Sequence, residues 1–133
     1  MAIQYSSAIY LARLDLVESS TGTAPLLRIF SGSIPANCAA ADSGTLLATI
    51  TLPSDWMNNA SGTTKTLLGS WTGTASAGAG ATPTHFRLWN SGATVCHMQG
   101  SCGIGSGDLS VNGTITSGQT ITVSTFAITA GNI

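Results

Sequence analysis

Thiol, imidazole and thioether groups fall together in ATVCHMQGSCG, residues 93–103, which holds Cys96, His97 and Met98 in a row and Cys102 six positions on. Groups of this kind ligate soft metals or carry redox chemistry when they converge on one point. A regular strand reverses side-chain direction at every residue, so here it sends Cys96 and Met98 to one face and His97 to the other. Three groups dispersed in that way do not share an ion. Zinc sites also use cysteine pairs two to four residues apart with a second pair elsewhere, and no second pair is present. The stretch reads as Cys96 and Met98 packing in the core and His97 facing solvent or a neighbour. A Cys96–Cys102 disulfide formed after release from the cell is the alternative to a metal site. No metal and no cofactor is expected.

Acid–base catalysis needs two ionisable groups held close in different environments. The five acids, Asp15, Glu18, Asp42, Asp55 and Asp108, are scattered along the chain. Each has a plainer role: Asp15 and Glu18 on the wet face of a helix, Asp42 and Asp108 in turns, Asp55 as a cap or turn residue after Pro53. No Gly-x-Ser-x-Gly elbow occurs, and GSCGIGSG (100–107) leads into a strand, whereas a phosphate cradle opens a helix. The chain is therefore read as no enzyme, with no catalytic residue. Trp71 and Trp89 lie within strand-like runs. Trp56, in PSDWM, is the exposed aromatic, suited to packing, a subunit contact or stacking on a sugar ring.

Composition limits the partners. The chain has 133 residues, of which 7% are charged, with a formal net charge of -1; an ordinary domain carries about 25% charged residues. Four Lys and Arg are too few to displace counterions from a nucleic acid. Ser, Thr, Ala and Gly interrupt every apolar stretch well short of the roughly 18 residues of a membrane span. The start, MAIQYSSAIYLARLD, lacks the basic segment and unbroken apolar core of a secretory signal, so the chain is expected to fold in the cytosol.

The elements that position these groups follow from punctuation and period. Residues 8–19 predict a helix, with Ser6 or Ser7 to cap it and Gly22 and Pro25 beyond its end. At about 100° per residue, Ile9, Tyr10, Ala12, Leu16 and Val17 share a broad apolar side, widened by Leu11 and Leu14, while Asp15, Glu18 and Ser19 lie opposite. An arc that wide predicts contact with a second body. Arg13 projects from its middle, either snorkelling to water or forming an ion pair across a subunit boundary. The interface candidates are accordingly Tyr5, Ile9, Tyr10, Arg13, Leu16 and Trp56.

Beyond the helix, short β-prone runs at 26–30, 46–52, 67–75, 84–89, 94–99, 108–115 and 119–128 alternate with Gly, Ser, Asn and Pro. They predict a mainly β, single-domain antiparallel β-sandwich of about seven strands, jelly-roll or immunoglobulin-like, over 25–133, with residues 1–24 as an N-terminal arm and helix. In the last run Ile121, Val123, Thr125 and Ala127 point one way and Phe126 and Ile128 the other. The long small-residue loops at 31–45 and 74–84 are expected to be functional or held by a neighbour.

The stretches ARLD (12–15), GTAPLLRI (22–29), PANCAAADSGTLLATITLPSDW (35–56) and HFRLWNSGATVCHMQG (85–100) resemble a family of small virion proteins of tailed bacteriophages. The resemblance implies a structural role as a capsid decoration or cement protein, with the major capsid protein and copies of itself as partners. It also implies synthesis in the host bacterial cytoplasm and a final place on the capsid surface of the virion. A tail or connector component is one alternative, and a carbohydrate- or receptor-binding module of a fibre, centred on Trp56, is another. Low charge suits a protein repeated side by side, because like-charged neighbours repel.

Overall fold

Alternating Thr, Ile, Val and Leu between Gly- and Ser-rich breaks build a mainly β protein behind one N-terminal helix. The computed structural model describes residues 2–133. Helix α1 spans Ser7–Thr21; the strands are β1 Leu26–Ser31, β2 Thr45–Thr51, β3 Thr64–Thr66, β4 Trp71–Thr74, β5 His85–Trp89, β6 Cys96–Ile104, β7 Leu109–Val111 and β8 Thr120–Thr129. Ser6 occupies the N-cap position with no side-chain hydrogen bond, and at the other end the Gly22 N–H donates to the Glu18 carbonyl. None of the described helical segments is long and apolar enough to cross a membrane.

The strands form one sheet in the order β2-β1-β5-β6-β7-β8-β3, with β4 also paired to β8. The count of eight agrees with the about seven strands expected, and one feature departs from the antiparallel arrangement: β6 runs parallel to β7. Strand β6 is the corner. Its first part, Cys96–Ser101, pairs with β5, and its last part, Cys102–Ile104, pairs with β7. Within it Gly100 leaves room for the Phe86 ring and the Asp108 carboxylate, which would lie 2.8 and 2.9 Å from an added Cβ. The run read at 67–75 is a strand only over Trp71–Thr74, and the run at 108–115 only over Leu109–Val111.

Curling brings the inner faces together around one core of Leu27, Ile29, Ile50, Trp56, Trp71, Phe86, Leu88, Ile121, Val123 and Phe126, among others. The Phe86 and Phe126 rings meet edge to face at 5.8 Å, and Trp71 lies between Phe126 and Trp56 at 5.4 and 6.0 Å. In β8, Ile121, Val123 and Phe126 are all buried while Thr125 and Ala127 are exposed. The strict alternation expected there fails because a bulge opposite Ser110 and Val111 reverses the pleat between Val123 and Thr125. The loop after β4 is held from within: Ala75 bridges Ala48, and Ala81 bridges Ile115.

Gly44 closes the 32–44 loop at φ +77°, with the Ser31 carbonyl in the place of any Cβ, whereas Gly62 at φ +63° has nothing within 4 Å. Gly62→Ala is expected to lose about 1 kcal/mol, the cost of left-handed backbone alone. Gly44→Ala is expected to lose more than about 2 kcal/mol, since strain and collision add. Urea denaturation of the two variants side by side measures the difference.

Candidate functional site

Lys65, the centre of the three-residue strand β3, is 1% exposed. A buried ammonium requires an acceptor for each of its three protons. It finds Asp15 Oδ1 at 2.8 Å, the Asn58 carbonyl at 2.9 Å and Glu18 Oε1 at 3.4 Å. Asp15 also accepts from the Ala60 N–H at 2.9 Å and Glu18 from the Met57 N–H at 2.8 Å. Both acids of α1 thus dock the helix onto the segment 57–65. The wet face expected for them holds only in part: the Asp15 side chain stays 47% and Glu18 23% exposed, yet both reach to Lys65 from the edge of the inward side, where Leu14 and Thr21 are buried and Val17 packs on the core.

Turning that side inward turns Ile9, Ala12 and Leu16 outward. Ile9 is 48% and Leu16 59% exposed, and they continue toward Tyr5 and Ile3, also exposed. The apolar arc read as one broad side is split between the two faces. Arg13 projects to solvent with its guanidinium 5.1 Å from the Tyr5 ring centre, and it forms no ion pair among the described residues. Tyr10 is half-buried in a groove with Leu14 and Ile128. The two ends of the chain meet beside this face, through the Tyr5 N–H on the Asn132 carbonyl at 2.7 Å and the Asn132 amide on the Ile3 carbonyl at 3.2 Å.

Trp56 does not belong to this face. It is 0% exposed, and its indole N–H donates to the Gly22 carbonyl at 3.0 Å. That ring plugs the junction of α1 with the sheet, so it offers no stacking surface to a sugar and no contact to a neighbour.

A second buried cation, Arg87 of β5, lies on the outer face of β1, β5 and β6 and is 0% exposed because the 32–44 loop covers it. Its guanidinium pairs with Asp42 and donates to the carbonyls of Cys38 and Ala40, each at 2.9 Å, and of Asn37 at 3.3 Å. Arg28 adds a 3.4 Å contact to Asp42, and the Gln99 amide donates to the Pro35 carbonyl at 2.8 Å. This loop, expected to be functional or held by a neighbour, is thus held by its own sheet. Sequence reading passed over Lys65 and Arg87; the available signal is a lone cation inside a β-prone run, which in HFRLW sits among aromatic and aliphatic residues.

The soft-atom cluster is dispersed, though on different faces from those expected. A bulge between Leu88 and Trp89 pairs Trp89 with Cys96 but Leu88 with Met98, so Met98 turns to the core side and Cys96 to the loop-covered side. His97 is exposed. Cys96 and Cys102 lie at separate places along one extended strand, about 20 Å apart at the usual rise, against the roughly 7 Å limit for a disulfide. That pairing is excluded. Burial pushes the Cys102 thiol up to about 12. No group of three metal-ligating side chains occurs among the described residues. Asp108 accepts from the Ser101 N–H and hydroxyl at 2.9 and 3.0 Å, clamping the β6–β7 turn.

Two groups make stability depend on pH. Burial, then the charge of Arg87, holds the His85 imidazole below its ordinary 6.5, against the opposing pull of Asp42 and the Ser43 backbone. The unfolded chain takes up that proton first, so stability falls as pH drops through 6.5. The Lys65 hydrogen bond, then the Ala60 N–H, hold Asp15 below its ordinary 3.8; its contribution is present above 3.8 and is lost as pH falls through the folded value. Thermal melts across pH are expected to show both declines, with His85→Gln removing the first and Asp15→Asn the second. Arg87→Met leaves Asp42 with Arg28 alone and strands three loop carbonyls. It is expected to lose about 1–3 kcal/mol in urea denaturation, the cost of the unsatisfied carbonyls, and to open 32–44 to protease.

Comparison with protein-family models, with curated proteins and with solved structures finds no match to this chain.

Proposed function

We propose that this chain is a structural subunit of a tailed-bacteriophage virion, a decoration or cement protein that bridges coat subunits by covering apolar surface. The observation that carries the reading is the outward row of Ile9, Ala12 and Leu16, spaced three and four residues apart on one helix side and left bare by a fold that spends both acids of the same helix on its inward contact. Exposed apolar rows of this kind mark protein contacts. The partners in this reading are the major capsid protein and copies of this chain, and the resemblance of residues 12–15, 22–29, 35–56 and 85–100 to small phage virion proteins supplies the location.

Four of the five acids have structural work: Asp15 and Glu18 on Lys65, Asp42 on Arg28 and Arg87, and Asp108 on Ser101. That allocation supports a role without acid–base chemistry. The burial of Trp56 removes the aromatic on which the glycan-binding alternative was centred.

The test uses particles assembled with and without the chain, viewed by electron microscopy and melted. Particles lacking it should come apart at lower temperature. Ile9→Asp and Leu16→Asp, at exposed positions, should leave the melting temperature of the free protein within about 2 °C of wild type. Binding to bare particles should weaken at least about 30-fold for each, the scale of an interface hot spot. Wild-type binding by both variants would overturn the assignment of this face.

A further inference from the structure

Cys38 and Cys96 come from distant parts of the sequence and meet at the rim of the covering loop. The Cys38 carbonyl accepts from Arg87 Nη2 at 2.9 Å, and Arg87 lies over the Trp89 ring at 5.3 Å. Trp89 is the residue directly across the ladder from Cys96. Both thiols line one shallow surface depression with Ala39, Ala40, Trp89 and Val95, and both are partly exposed and free. We infer that Cys38 and Cys96 are a redox clip: on exposure to an oxidising medium they form a disulfide that fastens the 32–44 loop to strand β6.

The seam it would fasten is the one beneath the 32–44 loop, where Arg87 is held by Asp42 and by the loop carbonyls of Asn37, Cys38 and Ala40. A covalent tie at its rim limits opening of the loop. Burial, then the neighbouring Cys38 side chain, raises Cys96 above its ordinary thiol value, so the reaction is slow at neutral pH and quickens with alkali.

The oxidant is a low-molecular-weight disulfide. One protein thiolate attacks a sulfur of it, expels a small thiolate and becomes a mixed disulfide. The second protein thiol gives its proton to solvent, attacks the protein-bound sulfur and expels the other small thiolate. Two electrons pass from the cysteines to the oxidant, which leaves as two thiols. Cys102, buried and held protonated, does not take part.

The experiment treats the full-length reduced protein with oxidised glutathione at pH 8.5 and follows intact mass, tryptic peptides and melting. The expected product has lost the mass of two hydrogens, joins peptide 29–65 to peptide 88–133, and melts at least about 5 °C higher. Because Cys96 and Cys102 share a tryptic peptide, Cys102→Ala should keep the cross-link and the shift while Cys96→Ser and Cys38→Ser lose both. Stable glutathione adducts on Cys38 and Cys96 without cross-linking, a cross-link that survives Cys96→Ser, or a cross-link with no change in melting would each overturn the clip. None of these outcomes bears on particle binding by Ile9 and Leu16.

Discussion

The burial of the Lys65 ammonium fixes how everything N-terminal to the sheet is arranged. An ammonium removed from water is tolerable only where each proton meets an oxygen, and two of the three oxygens come from α1. Those same carboxylates answer backbone N–H groups of Met57 and Ala60, which no strand partner satisfies. One cation therefore sets both the rotation of the helix about its axis and the path of the chain from 57 to 60. The indole of Trp56, hydrogen-bonded to Gly22, seals the junction from the other end. A helix locked in this rotation has no freedom to hide Ile9 and Leu16.

Arg87 plays the corresponding part on the opposite side of the sheet. A guanidinium in the middle of β5, covered beside Phe30 and His85, which stack at 5.0 Å, is tolerable only where acceptors replace the water it has lost. The loop 32–44 supplies carbonyls and Asp42 to it, and in return takes from it a conformation that its Ala-, Ser- and Gly-rich sequence does not specify. Sheet and loop are thus mutually dependent: the arginine is buried because the loop covers it, and the loop is ordered because the arginine is there.

The sequence announced what depends on neighbours in the chain and hid what depends on partners far along it. The ends of α1 were legible to within two residues because Ser6, Gly22 and Pro25 punctuate them, and the mainly β character was legible from the spacing of turn residues. The face on which α1 docks was not, since apolar residues occur on both of its sides and the deciding contact reaches Lys65, fifty residues away from Asp15. Trp56 looked exposed because Pro, Ser and Asp surround it, yet its partner carbonyl is 34 residues upstream. Alternation misassigned Cys96 and Phe126 for one shared reason: a bulge shifts the pleat by one residue, and no local feature of the sequence marks either bulge.

The same internal pairing determines what the surface has left to offer. Of the four Lys and Arg, Lys65 and Arg87 are buried and Arg28 is shared with Asp42; of the acids, only Asp55 makes no contact described above. What remains outside is mostly Ser, Thr, Gly, Asn and Ala, with Arg13, the helix row and separate apolar residues at Ile34, Leu46, Val95 and Ile104. A surface so poor in free charge exerts little force beyond a Debye length, so recognition falls to contacts at van der Waals range. In the proposed role, small side chains let a facing backbone approach closely, and Ile9 and Leu16 supply the apolar area that makes the approach favourable. The scarcity of free charge and the bare apolar row of the helix are two consequences of one allocation, in which most of the charged groups were committed to holding the fold together.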